Sequence, residues 1–471
     1  TSDDTSILLI KLNNKNRLAG SIFSEITETK YQHTPDIDDI EVFEKLFSGI
    51  QNLLKSKKIL AMHDISDGGL ITTLLEMCFT KKVGMRMDLD DSSGVNEFLF
   101  SEEIGFAIQI KKNNLDEVTN TLKNENIYVK NIAEIIYDEQ FSIFKNDSEL
   151  FSKSVIELEK NWRETSHAIQ SIRDNKAIAN SELSLLDDEN FQGLKSNISF
   201  DENELKHINI KRTKPKVAIL REQGVNGQNE MAAAFTLAGF NAFDVHMQDL
   251  LDGNTNLKDF QGMAVCGGFS YGDVLGAGGG WSKTILYNNL VKDQFQEFFS
   301  DEKVFTLGVC NGCQMLSNLK DIIPGAEFWP SFERNLSDQF EARLAQVKIS
   351  KTESVLLDGM EDWMIPVASA HGEGRAQFNN NDLQELEKSN QIAMHFVDSS
   401  ENSSEIYPIN PNGSPNGITG ITSSNGRVTI MMPHPERVFR KVQLSWHRKD
   451  WNEYSPWMQI FINAKKFSDK N

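Results

Sequence analysis

Beyond residue 214, four short apolar runs each end in a glycine- or proline-bearing turn, and this recurrence limits the fold more than any other feature of the chain. "PKVAIL" leads into "REQGVNGQ", "GMAVC" into "GGFSYGD", "KVFTLGVC" into "NG", and "RVTIMM" into "PHPE". Runs this short, bounded by turn residues, fit strands buried on both faces, as in a parallel sheet. Between them, "NEMAAAFTLAGF" reads as a helix stopped by Gly239 and "NAFDVH" as a further strand. The alternation predicts an α/β domain over residues 215–471 built on a doubly wound, mostly parallel sheet. Ligands in such sheets sit at the carboxyl ends of the strands, where these turns fall.

The first part of the chain has a different texture. Strand-like "SILLIKL" and "KILAMHD" alternate with "DDIEVFEKLFSGIQNLLKS", whose apolar residues recur every three and four positions. They predict an α+β or α/β domain over residues 1–155. Residues 156–214 are polar, with few apolar positions in a core pattern, and read as a partly helical linker. A length of 471 residues accommodates two to four domains. The chain begins "TSDDTSILLIKL", without methionine and directly in a strand, which suggests a piece of a longer polypeptide with a truncated first element.

With 39% hydrophobic and 25% charged residues the chain reads as soluble and globular. No apolar run approaches the roughly 20 residues of a membrane span, and "ILLI" lacks the flanks of a signal peptide, so the cytoplasm is the expected compartment. A formal charge of -20 argues against nucleic acid or another long polyanion as partner but leaves nucleotides open. Four cysteines, at 78, 266, 310 and 313, make no disulfide framework and suit a reducing compartment.

Cys310 and Cys313 form a C-x-x-C pair, compatible with a redox couple, with half of a zinc site, or with one nucleophile and a bystander. Zinc needs two further ligands; Cys78 and Cys266 lie apart, leaving His371 and His434. Gly308 and Gly312, two residues either side of Cys310, give the strand-to-helix nucleophile elbow with sulfur in place of hydroxyl. Such a turn is expected to expose Cys310 at a helix N-terminus, where free N–H groups favour a thiolate and a developing oxyanion. A buried cysteine in a tight turn has the same spacing, so a partner must decide. "PHPE" offers one: His434 as the base and acid that a cysteine needs, with Glu436 to orient it. Gly267 and Gly268 at another strand end let backbone N–H groups approach a carbonyl. The run "GAGGGW" lacks the P-loop lysine and is discounted as a phosphate site.

Together "REQGVNG", "CGGFSYGDVLGAGGGWS", "GVCNGCQMLSNL", "ERNLSDQFEAR", "HGEGR", "NPNGSPNGITG" and "MMPHPERVFR" closely resemble the phosphoribosylformylglycinamidine synthase family, over essentially the whole chain. The resemblance implies a flavodoxin-like class I glutamine amidotransferase domain after an aminoimidazole ribonucleotide synthetase-like C-terminal domain, the C-terminal portion of a single-chain enzyme. It implies a Cys310–His434–Glu436 triad that releases ammonia and glutamate from glutamine through a thioester. Gly268 and Asn311 are then oxyanion donors, and Gln314 contacts glutamine. Ammonia passes to the remainder of the synthase polypeptide, where formylglycinamide ribonucleotide and ATP give the amidine in purine biosynthesis. In "AMHDISDGGL" the resemblance makes Asp64 a Mg²⁺ ligand and Ser66 a nucleotide contact, at a site that is either catalytic or a structural ADP site. The family has arginine where this chain has Ile65, so any contact from that guanidinium is absent. Gly68 and Gly69 are expected to leave backbone amides accessible there. Two other readings remain: a thiol oxidoreductase using Cys310 and Cys313, and an amidotransferase-like scaffold without activity, against which the three retained triad residues argue.

Overall fold

A computed structural model describes residues 4–89, 94–188, 191–203, 205, 214–379 and 381–471. Residues 1–3, at the start of the first expected strand, and 206–213, near the end of the expected linker, lie outside the described residues. Compactness divides the chain into two units, Thr1–Ala168 and Ile169–Asn471.

The first unit contains β1 (Thr5–Lys11), β2 (Ile59–Asp64), β3 (Gly84–Leu89), β4 (Gly105–Lys111), β5 (Tyr128–Ile136), β6 (Gln140–Lys145) and β7 (Ser148–Ser154). They form one sheet in the order β2-β4-β1-β5-β3-β6-β7, in which β3 and β6 are parallel and the other neighbours antiparallel. Every residue of β1 is buried, and its side chains divide by the strand period of two. Ile7 and Leu9 pack with Leu70 and Leu74 of the helix Gly69–Phe79. Leu8 and Ile10 pack with Leu46 and Ile50 of the helix Ile40–Lys55. A continuous apolar strand is therefore what two helix-covered faces require. Asp39 starts the second of these helices by accepting the N–H groups of Glu41 (2.9 Å) and Val42 (3.2 Å), a cap worth about 1 kcal/mol.

The polar stretch that follows carries the helices Val155–Arg173 and Lys176–Ser184. Residues 191–203 have almost no regular structure, yet side chains of the second unit hold them. The Trp451 indole donates to the Ile198 carbonyl (2.9 Å), Arg448 to the Ser196 carbonyl (2.9 Å), and Asn197 Oδ1 accepts from the Met364 N–H (2.9 Å).

The second unit contains β8 (Lys216–Arg221), β9 (Asn241–His246), β10 (Gly262–Val265), β11 (Phe305–Val309), β12 (Ser331–Glu333), β13 (Glu341–Ile349), β14 (Met364–His371), β15 (Arg375–Gln377), β16 (Ile392–Phe396), β17 (Ile418–Thr422) and β18 (Val428–Met431). Nine of them form a sheet in the order β14-β13-β16-β17-β18-β11-β10-β8-β9, and β12 pairs separately with β15. From β18 to β9 the strands run parallel, as the alternating strands and turns predict. Beyond β18 the sheet continues as an antiparallel half, which the sequence did not announce. Parallel strands β10 and β11 are buried at every position, as the apolar runs require. Among the described residues no helix is long and apolar enough to cross a membrane.

Candidate active site

Strands β10, β11 and β18 are adjacent and parallel, so their carboxyl ends open at one edge of the sheet. Cys266-Gly267-Gly268 follows β10, Cys310 follows β11, and Met432 to Glu436 follows β18. Register aligns them: Val265 faces Gly308, and Val309 faces Met431. Topology thus gathers residues far apart in the chain, from Asn226 to Arg437, within one cleft of about 200 Å³, lined by Gly268, Asp273, Ala277, Cys310, Gln314, His434 and the segment 370–373 among others.

Cys310 occupies a backbone conformation rare for a side-chain-bearing residue, with φ +52° and ψ -111°, between β11 and the helix Asn311–Ser317. Strain of this kind costs about 1–3 kcal/mol and persists where the surroundings fix it. Here the Cys310 N–H donates to the Met431 carbonyl (2.9 Å), and the helix lies tightly against β10: a Cβ at position 312 would stand 2.1 Å from the Val265 carbonyl oxygen. The elbow expected from G-V-C-N-G is present, but the cysteine is not exposed. Its residual exposure is 6%, because the loops after β10, β14 and β18 wall the turn. The thiol points to the Ala370 carbonyl oxygen at 3.6 Å.

His434 Nδ1 lies 2.7 Å from Glu436 Oε1, and both side chains are fully buried. With that carboxylate accepting from Nδ1–H, Nε2 is the nitrogen left for chemistry. The His434 N–H donates to the Ala368 carbonyl (2.8 Å), fixing the turn against β14. Burial alone would lower the proton affinity of this imidazole, but the charges of Glu436 and then Cys310 outweigh it and raise the pKa to about 9. Cys313 lies wholly buried in the helix, and burial pushes its thiol well above the ordinary range. Cys266 stands just past the end of β10 and is also fully buried.

The loop after β10 is zipped to residues 223–226. Asn226 N–H donates to the Gly267 carbonyl (3.1 Å), Phe269 N–H to the Gly224 carbonyl (2.9 Å), and Val225 faces Gly268 across this pairing. In such a non-hydrogen-bonded pair the Gly268 N–H points away from its partner strand. A Cβ on Gly267 would lie 2.7 Å from Cε1 of His434 and 3.2 Å from Cβ of Cys310, so glycine there lets the two side chains meet. Gly267→Ala is expected to displace the imidazole and slow alkylation of Cys310 by a glutamine-like chloroketone by about 100-fold, since misplacement by an ångström costs that much. Unchanged alkylation would mean that the approach of His434 to Cys310 is irrelevant to its reactivity.

Asn311 begins the helix after the elbow; its side-chain amide donates to Asp273 Oδ1 (3.0 Å) and to Gln314 Oε1 (3.3 Å). Gln314 lines the cleft, with its own amide nitrogen donating to the Glu373 carbonyl. Three further residues line the cleft, of which the sequence singled out only His371, as a remaining zinc ligand. His371 is buried beside Asn412 (3.3 Å), and burial lowers its pKa to about 3, with His434 adding to the effect. Asp273 and Glu373 lie within "GGFSYGD" and "HGEGR", motifs quoted above for which no role was drawn for either acid.

Asp64 and Ser66 belong to the first unit. Asp64 ends the edge strand β2 with its side chain 66% exposed, and Ser66 is exposed in the turn beyond. The expected free amides are absent: Gly68 N–H donates to Glu102 Oε1 (2.9 Å) and Gly69 N–H to the Ser66 carbonyl (3.0 Å). These bonds close the turn that starts the helix Gly69–Phe79.

Residues 214–468 match the family model of the CobB/CobQ-like glutamine amidotransferase domain, and residues 4–146 that of the AIR synthase related protein, C-terminal domain. Among solved structures, PurLQS from Thermotoga maritima aligns at 20% identity with a TM-score of 0.41, covering 54% of this chain and 99% of its own. T. maritima PurL complexed with ATP aligns at 14% identity and a TM-score of 0.28, over 33% of this chain and 25% of its own. T. maritima PurL complexed with FGAR gives 14% and 0.29, over 34% and 28%. The chain spans about a quarter of the length of these two PurL structures.

Proposed function

This chain belongs to the CobB/CobQ-like glutamine amidotransferase domain family, and we propose that its second unit hydrolyses glutamine for a phosphoribosylformylglycinamidine synthase, an ATP-dependent ligase. The observation that carries the reading is the convergence of Cys310 with the buried His434–Glu436 pair beside the Gly267–Gly268 loop. Cys310 sulfur attacks the carboxamide carbon, and the thiol proton passes to His434 Nε2. The negative charge that develops on oxygen is met by the N–H groups of Gly268 and Asn311. His434 then protonates the amide nitrogen, the C–N bond breaks, and ammonia leaves a glutamyl thioester. Water, losing a proton to His434, attacks the thioester; glutamate departs and the proton returns to sulfur. Glu436 holds the imidazole through Nδ1 and favours its charged form, in line with the raised pKa. Gln314 faces the same cleft as a contact for glutamine.

Ammonia is consumed in the synthase region, where it replaces the ATP-activated formamide oxygen of formylglycinamide ribonucleotide. The first unit contributes Asp64 and Ser66 to a Mg²⁺–nucleotide site in that region. Among the described residues no three His, Cys, Asp or Glu side chains gather as a metal site. A single exposed carboxylate nevertheless fits Mg²⁺ held mainly by phosphate oxygens and water, which would neutralise charge on those phosphates. Asp64→Asn is expected to weaken Mg²⁺-dependent retention of ADP, measured by equilibrium dialysis of the assembled enzyme, by about tenfold or more while leaving Cys310 alkylation intact. Equal retention would remove Asp64 from the site.

The whole reading is tested by glutamate release from glutamine in the full assembly, with and without formylglycinamide ribonucleotide and ATP. Release that depends on Cys310 and feeds amidine formation supports it. A synthase that takes only free ammonia, with no glutamate formed, contradicts it.

A further inference from the structure

Glu222, the residue after β8, is a buried carboxylate that the triad chemistry does not use. Its neighbour Arg221 is turned to Asp244 (2.6 Å). Other groups meet Glu222 instead: the Tyr271 hydroxyl donates to Oε2 (2.8 Å), the Gln223 N–H donates to Oε1 (2.8 Å), and His246 Nε2 lies 3.5 Å from Oε1. Hydrogen bonds to a charged group out of water are among the strongest a protein makes. The Tyr271 bond crosses the sheet, because β8 and β10 are parallel neighbours and Tyr271 belongs to the loop after β10.

That loop has an unfavourable backbone. Tyr271, Gly272 and Asp273 all lie in the left-handed region, with φ of +53°, +61° and +54°. Glycine adopts it freely, but tyrosine and aspartate do so only where their surroundings fix them. Here the Tyr271 N–H donates to the Gln223 carbonyl (3.2 Å) and the Ser270 N–H to Asn311 Oδ1 (3.4 Å). The Tyr271 side chain then runs on to Glu222, with Thr284 Oγ1 3.2 Å from the same hydroxyl. Gly280 leaves room for the ring, since a Cβ there would stand 2.9 Å from Tyr271 Cδ2. Burial, and the bond to Glu222, push the phenol above its ordinary range, so it keeps the proton it donates. Three residues before Tyr271 in this loop stands Gly268, at φ +146°. Among the described residues, neither Glu222 nor Tyr271 lines the cleft.

Resting on the amidotransferase reading, we infer that Glu222 and Tyr271 are positioning residues for glutamine hydrolysis: their buried hydrogen bond holds the loop after β10 in the form that aims the Gly268 N–H at the developing oxyanion. The charge on that oxygen exists in the transition state and not in bound glutamine. Loosening the bond therefore lowers kcat and spares KM.

The test measures glutamate release by the assembled enzyme carrying Tyr271→Phe, Glu222→Gln or both, alongside alkylation of Cys310 by iodoacetamide. Iodoacetamide is the control, because the Cys310 sulfur displaces iodide from a saturated carbon and no oxyanion forms. Tyr271→Phe should lower kcat by about 10- to 100-fold, the worth of a hydrogen bond to a charged group, with KM and the alkylation rate unchanged. Glu222→Gln keeps an oxygen to accept the hydroxyl and should lose less. Because the two residues act as one unit, the double variant should lose no more than Tyr271→Phe alone. Full kcat in Tyr271→Phe, or losses that add in the double variant, overturn the inference. So does a parallel fall in alkylation, which marks a cleft that has merely loosened, or a rise in KM alone. An unsubstituted enzyme that releases no glutamate removes the amidotransferase reading and this inference with it.

Discussion

Cys310→Ala is expected to eliminate glutamine hydrolysis, by roughly 10⁴- to 10⁶-fold, whereas Cys313→Ala keeps most of it. The two cysteines lie three residues apart but in unlike places. Cys310 stands at the strained elbow, lines the cleft and approaches His434. Cys313 is one turn on, wholly buried, and burial holds its thiol protonated. Removing its sulfur leaves a small void in the helix packing, worth about 1 kcal/mol. A redox pair would lose its function with either substitution, so the two variants, assayed for glutamate release, separate the readings. Equal loss in both would favour the oxidoreductase.

His434→Ala is expected to lower glutamine-dependent synthesis by about 10⁴-fold while synthesis from ammonium salts at raised pH continues. A free thiol has a pKa near 8.5 and needs a base near neutrality, and the leaving nitrogen needs an acid. The imidazole, paired to Glu436 at 2.7 Å, is placed for both tasks, while added ammonia bypasses them. Steady-state rates with each nitrogen source give the answer. If ammonia-driven turnover falls in parallel, His434 supports the fold or the synthase step and the division of labour proposed above is wrong.

Much of the candidate site was legible in the sequence because a parallel strand announces itself locally. The apolar runs of β10, β11 and β18 end where glycine or proline must follow, and the residues after them are those gathered in the cleft. The antiparallel half was not legible. The direction of β13, β14, β16 and β17 is set by long-range pairing, and their side-chain patterns are compatible with either sense. Exposure at the elbow was misjudged for the same reason: the turn is local, but its walls come from loops distant in the chain, those that follow β10, β14 and β18. Asp273 and Glu373 escaped notice because single acids in glycine-rich turns look like solvated surface until a cavity joins them. At Gly68–Gly69 the motif pointed to free amides, and Glu102, from a distant loop, took one of them.

The most direct measurement is an acid quench of the assembled enzyme with glutamine, followed by peptide mass spectrometry. The account predicts a glutamyl thioester on Cys310, absent in Cys310→Ala and hydrolysed within turnover. No adduct on Cys310, or a Cys310–Cys313 disulfide whose reduction abolishes turnover, would contradict it.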